Sequence, residues 1–446
     1  MYHRTIIDKL RSWAGERDRK PLVLRGARQV GKTTAVDIFA TEFDQYIYLN
    51  LEKREERELF DEKFTFPQLL DAIFFIKGKE KTKGRTLLFI DEIQNAPNAV
   101  AKIRYFYEEA KHIHLIAAGS LLESLIDKTV VFPVGRVDYL PVRPCSFKEF
   151  LHAIGEPKSL EIIKGMDIPE YAHSKLNDLF RQYTIIGGMP EIVKDFAENR
   201  DLARLRTIYE RLIVSYLDDV KKYAKNPSQT RMIRHVIGSA FQYAAKRITF
   251  HHFGGSDYGS REMSEAFRIL EETMLLQLVY PSTGVRLPIE EKLKRTPKLM
   301  MLDTGIVNHS ARIQSDLITS KNIDETYQGR IAEHITGQEL LSLAPSVRSR
   351  LNFWERDRRN AQAELDYIIP FRDMLIPVEV KSGATGTLRS LFQFIDKAPH
   401  HFAVRIYGGT YRVEDTKTIK GRQFKLINLP FYLTGQIEKI LKKVIG

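Results

Sequence analysis

The run Gly26-Ala27-Arg28-Gln29-Val30-Gly31-Lys32-Thr33 constrains this chain more than any other feature. It fits the pattern G-x-x-x-x-G-K-[ST] and lies between an apolar, strand-like stretch, Leu22 to Leu24, and a helical pattern, Thr34 to Glu42. Such a loop turns successive backbone N–H groups inward onto phosphate oxygens. Lys32 is expected to reach the β and γ phosphates of ATP, and the Thr33 hydroxyl to hold Mg²⁺. Thr34, in the first turn of the helix, is counted with the phosphate-binding residues.

A second element matches the first. Thr86-Leu-Leu-Phe-Ile90 reads as a buried strand ending in Asp91-Glu92, where a sheet of this kind presents a carboxylate to the metal. Asp91 is expected to hold Mg²⁺ and Glu92 to polarise the attacking water as general base. The next strand, His114 to Ala118, ends in Gly119-Ser120, and the Ser120 hydroxyl serves either as a γ-phosphate sensor or as a helix N-cap. Arg136, after Gly135, either supplies a cation to phosphoryl transfer, in cis or from a neighbouring subunit, or is a solvated surface arginine.

From Pro21 to Arg143 such strands alternate with helical patterns, so an α/β fold with a parallel sheet is expected over residues 1–145. Residues 146–247 read as a helical lid or connector, with Ala203 to Tyr223 as its clearest amphipathic stretch. Residues 248–327 read as two helices followed by strands Leu276 to Tyr280 and Lys298 to Leu302. The order resembles a winged helix, with Lys292, Lys294 and Arg295 in the basic loop between the strands. Residues 328–446 read as an α/β domain with a helix from Gly329 and strands Leu351 to Trp354, Glu364 to Pro370, Leu375 to Val380 and His401 to Tyr407.

In that last domain the period of two puts Glu364 and Asp366 on one face of a strand, and Glu379 and Lys381 on one face of the next. Asp366 and Glu379, with Glu333 from the preceding helix, are expected to hold a second divalent cation, and Lys381 to orient or deprotonate a water for attack on a phosphodiester. The alternative is a salt-bridged sheet face. Gly187-Gly-Met-Pro-Glu191 and Asp303-Thr-Gly305 read as turns, Pro190 sitting near a helix start.

Together these residues resemble a group of prokaryotic AAA-superfamily ATPases whose C-terminal half is a helical and winged-helix region followed by a restriction-endonuclease-like domain. Gly26 to Thr33, Leu88 to Ile93, Ala118 to Ser120, Gly135-Arg136 with Leu140 to Phe150, Gly187 to Glu191, Leu302 to Gly305, Gly329 to Glu333 and Ile376 to Gly383 carry the resemblance. It implies ATP binding and a nuclease-like core. The sequence departs from the nuclease pattern in one place, where Leu365 and not proline precedes Asp366.

Composition bears on partners. The 446 residues are 43% hydrophobic and 28% charged, with a formal net charge of +12, which favours a polyanion such as DNA through counterion release. No stretch approaches the roughly 20 apolar residues of a membrane span, and the one cysteine, Cys145, forms no intramolecular disulfide, so a cytoplasmic protein is expected. A homo-oligomer is expected if Arg136 acts across a subunit boundary.

Overall fold

The computed structural model describes residues 2–82, 84–119, 135–314, 329–357, 363–381 and 388–446. The first sheet contains β1 (Leu22–Arg25), β2 (Gln45–Asn50), β3 (Thr86–Asp91), β4 (Ile113–Gly119) and β5 (Asp138–Pro141), all parallel, in the order β2-β3-β4-β1-β5. Every residue of β3 and β4 is buried, which is why these strands read as unbroken apolar runs: helices cover both faces. Leu22 and Leu24 join the core under the helix Lys32–Ala40, while Val23 joins the core on the other face.

The helical region begins at a capping box: the Ser146 N–H donates to Glu149 Oε2 (2.8 Å), and Glu149 N–H points back at Ser146 Oγ. Glu149 also accepts from the Thr5 N–H (2.6 Å) and pairs with Arg4 (3.2 Å), so the cap doubles as a joint to the chain's beginning. The expected amphipathic helix spans Leu202–Tyr223. No helix among the described residues is long and apolar enough to cross a membrane.

Helices Pro227–Ala240 and Ser260–Glu272 precede an antiparallel hairpin of β6 (Leu276–Ser282) and β7 (Lys298–Met301). β6 has a second neighbour, running parallel to β8 (Asn352–Glu355) with Tyr280 opposite Asn352. Beyond it follow β9 (Glu364–Phe371), β10 (Met374–Lys381), β11 (Phe402–Tyr407), β13 (Gln423–Pro430) and, at the edge, β12 (Arg412–Lys417). The hairpin and the C-terminal strands are one eight-stranded sheet across the boundary expected at 327/328, because β6 satisfies both its edges by pairing. The basic loop is tethered to this sheet by Arg295, which pairs with Glu355 and Asp357 (2.7 Å to the latter), while Lys292 pairs with Glu290 within the loop itself (3.2 Å).

The two sheets are joined through a buried polar hub. Asp303 caps its own helix, Thr304–Ser310, by accepting from the Ile306 N–H (3.1 Å), and its other oxygen accepts from the Gly188 N–H (2.6 Å). Gly187, at φ 76, allows this approach; a Cβ there would lie 2.3 Å from Asp303 Oδ1. Gly188 O accepts from the Cys145 N–H (2.6 Å) just past β5, and Tyr183 donates to Cys145 O (2.8 Å). From the helix Arg330–Ser342, Gln338 reaches Asp303 (3.3 Å), and Glu339 Oε1 accepts from the Phe147 N–H (2.9 Å) and lies 2.9 Å from the Tyr183 hydroxyl. The two stretches read as turns thus carry the contacts between domains.

Burial pushes the carboxyl groups of Asp303 and Glu339 up, to about 6 and about 7. Their folded-state values exceed the unfolded ones, so this contribution to stability is full below about pH 4 and is lost as pH rises through 7. Glu339→Gln, which keeps the shape and cannot ionise, should flatten the fall in Tm between pH 5 and 8; an unchanged pH profile would show that Glu339 is not protonated in the folded protein.

Candidate nucleotide site

The phosphate-binding loop leaves β1 at Arg25 and enters the helix at Gly31, whose φ of 87 lies in the left-handed region that glycine adopts without strain. Lys32 is buried, and its ammonium donates to the carbonyls of Gly26 (2.8 Å) and Ala27 (2.9 Å). Burial pulls Lys32 down to about 8, although Glu92 and Asp91 nearby act to raise it. Thr33 Oγ1 donates to Asp91 Oδ2 at 2.7 Å, bringing the hydroxyl from the helix start to the carboxylate at the end of β3. Glu92 follows at φ 53 in the left-handed region, its own N–H donating to Asp91 Oδ1 (2.9 Å) and its carboxylate held by the Gln94 amide. Ala27 and Val30 are buried and shape the loop, whereas Gln29 and Thr34 are exposed.

Residues 18–151 match the family model of an AAA domain. The N-terminal domain is an AAA-type P-loop domain. Residues 177–317 and 328–432 match two further models, each described only as a domain of unknown function, DUF8612 and DUF4143. Among curated proteins nothing matches. Similar solved structures include the Walker-type ATPase PABY2304 of Pyrococcus abyssi, at 15% identity over 70% of this chain and 96% of that one, with a TM-score of 0.45. The RuvB Holliday junction branch migration motor of Thermotoga maritima is similar at 16% identity over 62% and 90%, TM-score 0.29. The Orc1 protein of Aeropyrum pernix, in complex with DNA, is similar at 13% over 70% and 93%, TM-score 0.28. These likenesses are too distant to carry function.

The AAA domain's loop is clasped from outside by the helix Leu202–Tyr223. Arg28 donates to Asp219 (2.6 Å to Oδ2), Gln29 to Ser215 Oγ (3.3 Å), and the Tyr216 hydroxyl to Arg28 O (3.4 Å). Lys222 links Asp219 (3.3 Å) with Glu52 (3.4 Å). From the other side Arg4 reaches Val30 O (3.4 Å), and Pro190 lies against Gly31. Asp219, Ser215, Tyr216 and Pro190 were not legible as loop contacts, because an acidic or hydroxyl residue on an amphipathic helix looks the same whether it faces water or a distant loop.

Arg136 is not brought to this site. β5 runs parallel to β1 with Asp138 opposite Leu22, so Arg136 lies before the start of β5, at the edge of the sheet opposite the loop that follows Arg25. Four strand residues separate the two edges, about 13 Å. There it pairs with Glu108 (3.4 Å) and stacks on Tyr107. This placement sets Arg136 apart from the phosphate-binding loop of its own chain. Ser120 lies outside the described residues.

The C-terminal carboxylates do converge, though around a lysine. Lys298 on β7 is buried and places its ammonium 2.6 Å from Glu333, 2.6 Å from Glu364 and 3.8 Å from Asp366. Burial would lower Lys298, but these three carboxylates outweigh it and raise it. Asp366 Oδ2 accepts from the Val380 N–H (2.7 Å), which sets it beside Glu379, and Glu379 pairs with Lys381 (2.7 Å). Burial pushes Glu333 and Glu379 upward, against the pull of Lys298 on Glu333 and of Lys381 on Glu379. No group of three or more His, Cys, Asp or Glu is placed to hold a metal ion among the described residues. The expected ligands Glu333, Asp366 and Glu379 thus share a neighbourhood whose positive charge is Lys298, and Lys381 is bound to a carboxylate, because hairpin strand β7 brings a cation that was read as part of a separate domain.

With Lys32 titrating near 8, ATP binding should take up a proton above that pH, since the phosphates hold the ammonium form. Affinity should fall between pH 7 and 9.5, and calorimetry in buffers of different ionisation heat should register the uptake; equal affinities across that range would remove Lys32 from the phosphate contact.

Proposed function

We propose that the protein is an ATP-driven conformational switch, in which ATP and Mg²⁺ bind at the AAA domain and hydrolysis is relayed to a C-terminal half that contacts DNA. The 2.7 Å hydrogen bond between Thr33 Oγ1 and Asp91 Oδ2, beside the buried Lys32, carries this reading. These two oxygens are the hard donor set that suits Mg²⁺, which when bound offsets phosphate charge. Lys32 compensates the γ-phosphate, and Glu92 orients and deprotonates the attacking water. Arg28 with Asp219, and Pro190 against Gly31, connect the loop to the helical region, and the hub at Asp303 connects that region to both sheets.

DNA contact is supported by the net charge of +12 and by the helix pair that precedes the β6–β7 hairpin. Of the hairpin's basic residues, Lys294 is exposed while Arg295 is committed to carboxylates, which shifts the expected contact towards Lys294 and the helices. Arg136, at the far edge of the AAA sheet, supports a role only at a neighbouring copy's nucleotide. Glu92→Gln should bind ATP and lose about 10²-fold or more in turnover, and mixing Arg136→Ala with Lys32→Ala should restore activity if copies assemble. Full turnover by Glu92→Gln would move the base elsewhere.

A nuclease reading stands second, favoured by the neighbouring Asp366 and Glu379 with Lys381 attached. It requires Lys298 to yield its carboxylates to a divalent cation, at the cost of a buried ion-pair cluster. The switch reading expects no cleavage of single-stranded, duplex or branched DNA in Mg²⁺ or Mn²⁺, with or without ATP. Cleavage that Lys381→Ala abolishes while ATP hydrolysis continues would reverse the order of the two.

A further inference from the structure

A cavity of about 340 Å³ lies where the AAA domain, the helix Ser260–Glu272, the β6–β7 hairpin and the helix Arg330–Ser342 meet. That is within the size of pockets that take small organic ligands, about 300–1,000 Å³. Its lining includes Arg25 from β1 but none of Gly26 to Thr33, Asp91 or Glu92, so it is distinct from the P-loop site.

The charge around it is unbalanced. Arg350 pairs with Glu271 (2.7 Å) and Arg268 with Glu272 (3.2 Å). Arg143 is different: its Nε is buried with no hydrogen-bond partner, and among the described residues no carboxylate pairs with its guanidinium. Burial alone sets its shift, downward to about 10, with no nearby anion to offset it. Arg348, exposed in the cavity lining, also has no ion pair among the described residues. Arg143 is half-buried, its buried Nε lacks a partner, and its planar fork of N–H donors matches phosphate geometry. The lining also includes the apolar, adaptable side chains Met274, Leu276, Met300 and Leu341, which suit the flat face of a base.

We propose that this cavity is a second nucleotide-binding site, in which Arg143 and Arg348 take the phosphate of a nucleotide unit and the apolar side chains take its base. A free nucleotide and the 5′-phosphorylated end of a nucleic-acid strand present the same chemistry. The position gives the ligand leverage on the whole molecule, because Arg143 directly precedes Pro144 and Cys145 at the hub, and its carbonyl accepts from Arg4 (2.7 Å), which in turn reaches the P-loop at Val30.

The test uses the full chain carrying Lys32→Ala, which disables the P-loop, with ATP and 5′-phosphorylated hexathymidylate as separate probes in calorimetry and fluorescence anisotropy. At least one probe should still bind, and adding Arg143→Met should weaken that binding tenfold or more without lowering Tm, since the arginine side chain has no structural partner to lose. Retention of ATP alone identifies a free nucleotide as the ligand, and retention of the oligonucleotide that weakens with Arg143→Met and with removal of the 5′-phosphate identifies a strand end. Arg348→Gln, at an exposed position, should weaken the same binding and decides the matter if Arg143→Met melts early. Loss of both probes with Lys32→Ala alone, or residual binding that neither arginine substitution changes, overturns the proposal.

Discussion

The carboxylate of Asp303 accepts hydrogen bonds from Ile306, Gly188 and Gln338, and these three belong to three different parts of the chain. The two backbone donors would otherwise be buried without a partner, at a cost of about 1–3 kcal/mol apiece. One side chain thereby fixes the start of the helix after β7, the turn before the helix Pro190–Asn199, and the helix that enters the C-terminal sheet. Replacing it with an apolar residue would strand the Ile306 and Gly188 N–H groups at once, while the Gln338 amide would keep the Tyr183 hydroxyl. The relative placement of the two sheets follows from that economy of partners, since Gly188 is in turn bonded to Cys145 at the exit of the AAA domain.

Two buried lysines show how the surroundings assign different work to one residue type. Among the described residues Lys32 has only carbonyl acceptors within hydrogen-bond reach, so burial prevails and its affinity for a proton drops. It is a cation poorly compensated by the protein and therefore well suited to an anionic ligand. Lys298 is surrounded by Glu333, Glu364 and Asp366, so attraction prevails and the ammonium is held. Its charge is spent within the fold. Arg143 is the half-buried counterpart, a cation with no ion pair among the described residues.

The path from loop to hub is short and continuous. Arg28 and Gln29 touch the helix Leu202–Tyr223, Pro190 lies against Gly31, and Pro190 is two residues from the Gly188 bonded to Asp303. A change in loop geometry on nucleotide binding therefore meets packed, hydrogen-bonded structure, which shifts between discrete arrangements instead of deforming gradually.

From the amino-acid order alone came the elements whose signal is local. The P-loop, the strand that ends in Asp91-Glu92, the five parallel strands and the long helix from Leu202 were all legible, because a glycine pattern or an apolar run records burial on the spot. β12 and β13 were not, β12 because its side chains are largely exposed at a sheet edge and leave no apolar alternation. The partners of the charged residues were equally out of reach. The period of two on neighbouring strands pointed to Asp366 and Glu379, and the helix before them offered Glu333, but that Lys298 would sit among the carboxylates was not readable. Nor could sequence tell that Arg136 faces away from the P-loop while Asp219 faces towards it. Charge records no direction along the chain, and which ions meet is decided only when β7 joins β6 in the C-terminal sheet and the helix Leu202–Tyr223 folds back over the loop.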